Sequence, residues 1–146
     1  MTDANSDKNH SDQEFGEAVA SAQAAVAGLS DQYIGWVNDD LKRLDAAVAT
    51  VTDGQNAAAL RDVYGVAHDI KGQGSTFGYQ LVTDIGQLLC RYAEDAIHNH
   101  KVDMAVIEAH VTALRTVVDN RIQGPAGELG AEIIAALKGA AEKSFA

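Results

Sequence analysis

Most of the chemistry legible in this 146-residue chain sits in one stretch, Tyr64-Gly65-Val66-Ala67-His68-Asp69-Ile70-Lys71-Gly72-Gln73-Gly74-Ser75-Thr76-Phe77-Gly78. An imidazole is a nitrogen nucleophile that can carry a phosphoryl group. An ammonium one helical turn away would neutralise the oxygens such a group brings. Read as a helix, Val63, Val66, Ala67, Ile70 and Gly74 fall on one arc, and His68 lies about 160° from Val66 and Ile70, facing water. Its neighbours on that exposed face are Tyr64, Gly65, Lys71, Gly72 and Ser75. Glycine inside a helix costs about 1 kcal/mol relative to Ala, so Gly65, Gly72 and Gly74 together give up about 2–3 kcal/mol. An ordinary surface histidine accounts for none of that loss. A bare surface beside the ring, open to a partner's backbone or to a bulky anion, does.

Other polar residues carry less. Asp69 lies about 100° around the helix from His68 and reads as a solvated helix charge. His98 and His100 form an H-x-H pair in a polar turn, with no third ligand set by spacing, so no metal site is expected. His110 falls beside the apolar positions of its helix and reads as a partly buried packing residue. Tyr33 and Trp36 read as core or boundary packing, with a partner surface as the alternative. Glu14, Glu17, Asp39 and Asp40 are scattered helix charges with no defined separation between acid groups.

The elements that must position His68 follow from apolar periodicity. Residues 1–11 are polar and aperiodic and read as a disordered leader. Phe15, Val19, Ala22, Val26 and Leu29 step by four and three, giving an accessory N-terminal helix over 12–29 that ends near Gly28. Ser30-Asp31 offers a new N-cap. From there Ile34, Val37, Leu41, Leu44, Val48 and Val51 recur at alternating spacings of three and four, the seam of a left-handed bundle, up to Asp53-Gly54. A helix from about Asn56 to Ser75 carries His68. A further helix is expected at 79–98 with Leu81, Ile85, Leu88, Leu89 and Tyr92 inward. Another uses Met104, Ile107, Val111, Leu114 and Val118 and finishes near Gln123. Gly124-Pro125-Ala126-Gly127 breaks the pattern, and Leu129, Ile133 and Leu137 suggest a linker and short C-terminal helix over 124–146. The expected fold is all-α: an antiparallel up-and-down four-helix bundle over 30–123 with accessory N-terminal and C-terminal helices.

Composition narrows the classes. A net charge of −10 and scattered Lys and Arg residues disfavour nucleic acid. A single cysteine, Cys90, excludes a disulfide framework and fits a reducing compartment. No apolar run approaches the ~18 residues of a membrane span, and the first fourteen residues lack the apolar run of a signal peptide, so a cytoplasmic location without membrane attachment is expected.

The His68 region resembles the histidine-containing phosphotransfer (HPt) domains of two-component phosphorelays. Their pattern H-x-x-K-G, followed by small residues and a further glycine, is met by His68, Lys71, Gly72, Ser75 and Gly78. The region of Leu81, Ile85, Leu88, Cys90 and Glu94 looks like the family's next helix, and the resemblance covers roughly residues 31–122. The resemblance implies that His68 is the phosphoacceptor at Nε2, that Lys71 pairs with the phosphoryl group, and that Gly72 makes room for a receiver domain. It implies a hydrogen bond from Ser75 to the group, with Tyr64 and Gly65 on the same docking face. The expected partners are response-regulator receiver domains and a hybrid histidine kinase, and the receiver supplies Mg²⁺, the chain having no cofactor of its own. Neither G-x-x-x-x-G-K-[ST] nor the glycine boxes of kinases are present, so a phosphocarrier is expected rather than an autonomous kinase, and a monomer. Two alternatives stay open: an adaptor that binds receivers without transfer, and a dimeric phosphoacceptor bundle related to histidine kinases.

Overall fold

The computed structural model describes residues 3–53 and 55–146, with side chains from Asn9 onward. Five α-helices and one 3-10 turn make up the ordered elements, and no strand occurs among the described residues. They are α1 (Asp3–Ala49), α2 (Ala57–Gly74), the turn Ser75–Phe77, α3 (Gln80–Asn99), α4 (Met104–Asp119) and α5 (Gly127–Ser144). None of the described helices is long and apolar enough to cross a membrane. The chain divides into two compact units, 1–33 and 34–146.

Three boundaries differ from the sequence expectation. The polar leader is helical from Asp3 and no break occurs at Gly28 to Asp31, so the accessory helix and the first bundle helix are consecutive parts of α1. Met1 and Thr2 lie outside the described residues. An alanine-rich segment without proline offers nothing that removes a helical hydrogen bond. Gly28 costs only about 1 kcal/mol, and Ser30 and Asp31 cap a helix only where the chain departs from helical backbone. The C-terminal helix is not short: α5 has 18 residues, matching α2. Finally, α4 stops at Asp119 because Arg121 enters the left-handed region at φ 48°. The N–H of Ile122 then reaches Val117 O at 3.0 Å and the N–H of Arg121 reaches Val118 O at 3.1 Å, the paired bonds that satisfy a helix end. His100, at φ 51°, ends α3 in the same way.

In the unit 34–146 the predicted apolar stripes of α1 to α4 point inward, whereas of the expected C-terminal stripe Leu137 is buried and Leu129 is exposed. Val37, Leu41 and Leu44 of α1, Leu60, Val63 and Ile70 of α2, Ile85 and Leu89 of α3, and Ile107 and Leu114 of α4 are all buried. Helix α2 packs on α3, α3 on α4, and α5 on both α3 and α4. Arg43 of α1 pairs with Asp69 of α2, and Arg115 of α4 pairs with Asp45 of α1. The C-terminal helix is held at its far end, where Ser144 Oγ lies 2.6 Å from the Tyr92 hydroxyl. That hydroxyl also accepts the Asp103 N–H at 2.9 Å, at the start of α4. In the unit 1–33 the stripe at Phe15, Val19, Ala22, Val26 and Leu29 is exposed throughout.

Candidate functional site

Helix α2 begins with Asn56, whose side-chain oxygen accepts the Ala59 N–H at 3.1 Å, and buries Leu60, Val63, Ala67, Ile70 and Gly74 along one face. The opposite face therefore belongs to solvent. His68 and Ser75 are exposed there, Tyr64 and Lys71 are half-buried, and Gly65 and Gly72 are exposed. The rings of Tyr64 and His68 stack at 6.1 Å between centroids and 28° between planes. The Glu94 carboxylate beside the Tyr64 phenol, together with some desolvation, pushes its ionisation above the ordinary range, so Tyr64 stays a neutral aromatic wall for the imidazole.

The glycines of the segment divide into two kinds. A Cβ on Gly74 would lie 2.6 Å from Thr83 Oγ1 and 2.9 Å from Tyr79 O, so this glycine permits the close contact of α2 with α3. Its helical cost has a packing reason, in keeping with its place on the buried arc of the helix, so that only Gly65 and Gly72 are left to serve an open surface. Gly78, at φ 85°, turns the chain out of the helix, and the Tyr79 N–H bonds back to Gly74 O at 2.8 Å. Around Gly65 and Gly72, by contrast, no atom lies within 4 Å of where a Cβ would stand. Nothing in the chain's own packing requires them to lack side chains.

Two residues of α3 that the sequence reading passed over fix the end of α2. The Thr83 hydroxyl donates to Lys71 O at 2.8 Å and accepts the Ser75 N–H at 2.8 Å, tying together Lys71 and Ser75 of the exposed stripe. Gly86 lets α3 approach Lys71 closely: a Cβ there would lie 3.0 Å from Lys71 Cβ. A glycine in mid-helix was the available signal for it. Lys71 stands in the last turn of α2, where a cation is favoured by the helix dipole. Among the described residues no carboxylate lies within ion-pair distance of its ammonium. Behind it the buried Cys90 thiol, 3.7 Å from Tyr64 O, is pushed up to about 11 by burial, against the pull of Lys71, and stays protonated.

His68 also edges an open groove between α2 and residues 43–47 of α1, where Arg43, Arg61, Tyr64, Gly65 and Asp69 are among the lining residues. Arg61, two turns before His68 on the same stripe, was legible from its seven-residue spacing but was not singled out. Asp69 is exposed as expected, but its Oδ2 also meets Arg43 Nη1 at 3.6 Å, and Arg43 bonds Asp40 Oδ1 at 3.1 Å. These exposed pairs contribute little stability. Trp36 of α1, 47% exposed, meets the ring of Phe77, in the 3-10 turn after α2, edge-on at 5.8 Å, whereas Tyr33 is buried.

The remaining histidines lie elsewhere. His98 and His100 are exposed, and His100 serves the turn after α3. His110 is more deeply buried than expected, at 1% exposure. Its Nδ1 lies 2.7 Å from Val106 O and its ring stacks on Tyr92. Facing a carbonyl, Nδ1 carries the proton; desolvation lowers the pKa and keeps the ring neutral. No group of three or more potential metal ligands occurs among the described residues. Comparison of the chain with protein-family models, with curated proteins and with solved structures gave no match.

Proposed function

We propose that the chain is a histidine phosphotransfer protein that relays a phosphoryl group between aspartates of receiver domains through a phosphohistidine on His68. The single observation that carries this reading is the pair of unfilled positions beside His68, Gly65 and Gly72, which the fold leaves bare although side chains would fit. The ion pairs of Arg43 with Asp69 and of Arg115 with Asp45, together with the packing of α2 on α3 and of α3 on α4, support a four-helix bundle of residues 34–49, α2, α3 and α4 that presents this stripe, with α5 as an addition.

The chemistry asked of the chain is small. In its neutral form the imidazole offers a lone pair at Nε2. A bond forms from that nitrogen to phosphorus as the bond from phosphorus to the aspartyl oxygen of the incoming receiver breaks, and the aspartate leaves as a carboxylate. Lys71 balances the charge of the phosphoryl oxygens, Tyr64 limits rotation of the ring, and Gly65 and Gly72 admit the receiver's backbone. The receiver brings its own acidic residues and Mg²⁺. Positioning by the docked partner supplies most of the acceleration, so the isolated chain is a carrier without turnover.

The test is incubation with a receiver carrying a labelled aspartyl-phosphate, followed by mapping of the product. Label that is acid-labile and alkali-stable, located on His68, is the expected result. A complex that forms without any label reaching the chain would assign it instead as an adaptor.

A further inference from the structure

Where the C-terminal segment crosses α3 and α4, the fold leaves a cavity of about 380 Å³, within the range of small-molecule sites. It shares no residue with the stripe around His68. Leu88 and Tyr92 of α3, His110 of α4, and Leu137, Ala141 and Phe145 of the C-terminal segment form its wall. One atom of that wall is unaccounted for. The His110 ring is stacked on Tyr92 and its Nδ1 faces Val106 O, yet Nε2 is buried with no hydrogen-bond partner. Protein interiors seldom leave an acceptor in that condition. Packing explains the ring and Nδ1 but gives Nε2 nothing to accept. A single water would take up ~30 Å³, a small part of the space.

We propose that this cavity binds a small neutral molecule with an aromatic body and one hydroxyl or N–H group, which donates to His110 Nε2. Each part of that description follows from the wall. Because Nδ1 holds the proton, Nε2 presents a lone pair, and the guest must be the donor. Burial keeps the ring neutral, so it offers no charge to an anion. The charged lining residues are all exposed and mark the solvent side of the cavity. There two cations, Arg91 and Lys138, offset two carboxylates, Asp95 and Glu142, so the mouth selects neither sign of charge.

Three rings favour a flat guest. Tyr92 lies 6.1 Å from His110 at 19° between planes and 5.3 Å from Phe145 at 31°, so the wall already carries stacked aromatic faces that a further ring can extend. Leu88, Leu137 and Ala141 supply the apolar remainder. A guest seated there touches α3, α4 and the C-terminal segment together, and binding to the folded chain alone raises the thermal midpoint. The site uses none of the residues assigned to phosphotransfer and is independent of that reading.

Phenol is the probe, and toluene, a ring of the same size without the donor, is its control. The isotopically labelled full chain is titrated with each to about 5 mM while nuclear magnetic resonance follows the backbone amides and the histidine ring nitrogens. Phenol should shift amides around residues 88–95 and 137–145 and move the His110 Nε2 resonance upfield, as acceptance of a hydrogen bond does. Toluene should leave that nitrogen unmoved. His110→Leu should lower the ratio of phenol to toluene affinity by at least about tenfold, the worth of one buried hydrogen bond. Ala141→Phe, at a half-buried lining position, should fill the cavity and remove binding of both, which keeps the test intact where His110→Leu does not fold. Amides indifferent to phenol, or phenol binding that survives Ala141→Phe, overturns the site. Phenol bound with Nε2 unmoved, or an unchanged ratio in folded His110→Leu, overturns the contact with His110. An Nε2 already hydrogen-bonded in the free chain and indifferent to phenol assigns the nitrogen to water and overturns the proposal.

Discussion

Substituting Gly72 separates a docking surface from a packing requirement. Its Cβ would meet no atom within 4 Å, so Gly72→Ala removes a glycine from the interior of α2 without a clash and should stabilise the fold by about 1 kcal/mol, raising the thermal midpoint by about 2–5 °C in a chain of this size. Gly72→Glu gains similar propensity but sets a carboxylate in the last turn of α2, where the dipole costs about 0.3–1 kcal/mol, so its midpoint should stay near wild type. Transfer should behave differently. A glutamate one turn from His68 adds bulk and negative charge where an acidic, phosphorylated site must approach, and a loss of at least 1.4 kcal/mol corresponds to at least about tenfold in rate. Gly74→Ala is the internal control: its Cβ would lie 2.6 Å from Thr83 Oγ1 and 2.9 Å from backbone oxygen, so it should lose about 1–3 kcal/mol despite the same gain in propensity. Thermal melts and transfer kinetics on one preparation of each variant decide the matter. Gly72→Ala melting below wild type, or Gly72→Glu transferring at the wild-type rate, would refute the docking role.

Four further outcomes are expected. His68→Gln should abolish phosphate acceptance while changing stability by no more than about 0.5 kcal/mol, since the ring is exposed; a drop above about 2 kcal/mol on denaturant titration would contradict that placement. Lys71→Ala should slow transfer by up to about tenfold without abolishing it, as one partly screened ammonium is worth about 1–2 kcal/mol, and an unaltered rate would separate Lys71 from the phosphoryl group. Thr83→Val leaves the Ser75 N–H and Lys71 O without their shared hydroxyl and should cost about 1–3 kcal/mol, read by chemical denaturation. His110 is held below its unfolded pKa of 6.5 by burial, so below that pH the unfolded chain binds a proton that the folded chain does not. The His110 contribution is therefore complete above pH 6.5 and is lost as the pH falls through the folded-state pKa. His110→Leu should flatten that decline in thermal midpoint, and an identical slope in both proteins would contradict the assignment.

The helices around His68 were legible because their apolar periodicity is regular and their ends carry strong local signals. Asn56 caps α2, and Gly78 supplies the left-handed residue that ends the helical run after it. Where the ends rest on backbone conformations adopted by ordinary residues, His100 and Arg121, sequence spacing gave the boundary only to within a few residues. The run of α1 past Gly28 was missed because capping residues signal a helix start only when the chain actually breaks there. At the site, the arc separating His68 from Val66 and Ile70 sufficed to place the ring in solvent. The faces of Gly72 and Gly74 were legible from the same arc, but not that a Cβ on Gly74 would meet Thr83 and Tyr79 O, since those contacts come from residues beyond the turn. Thr83, Gly86 and Arg43 act from other elements, and their partners are set by packing rather than by distance along the chain.

The Tyr92 hydroxyl joins three helices with one atom: it belongs to α3, accepts the N–H of Asp103 at the start of α4, and is hydrogen-bonded to the Ser144 hydroxyl near the end of α5. Because its ring also lies 5.3 Å from Phe145 and is stacked on His110, the C-terminal segment depends on the interior for its anchorage. Opening of α5 would therefore be energetically coupled to the α3–α4 pair, and its backbone amides would exchange hydrogen with solvent cooperatively with that pair instead of fraying from the terminus. Removing one oxygen, as in Tyr92→Phe, would cut that link and turn the last helix into a separately melting segment.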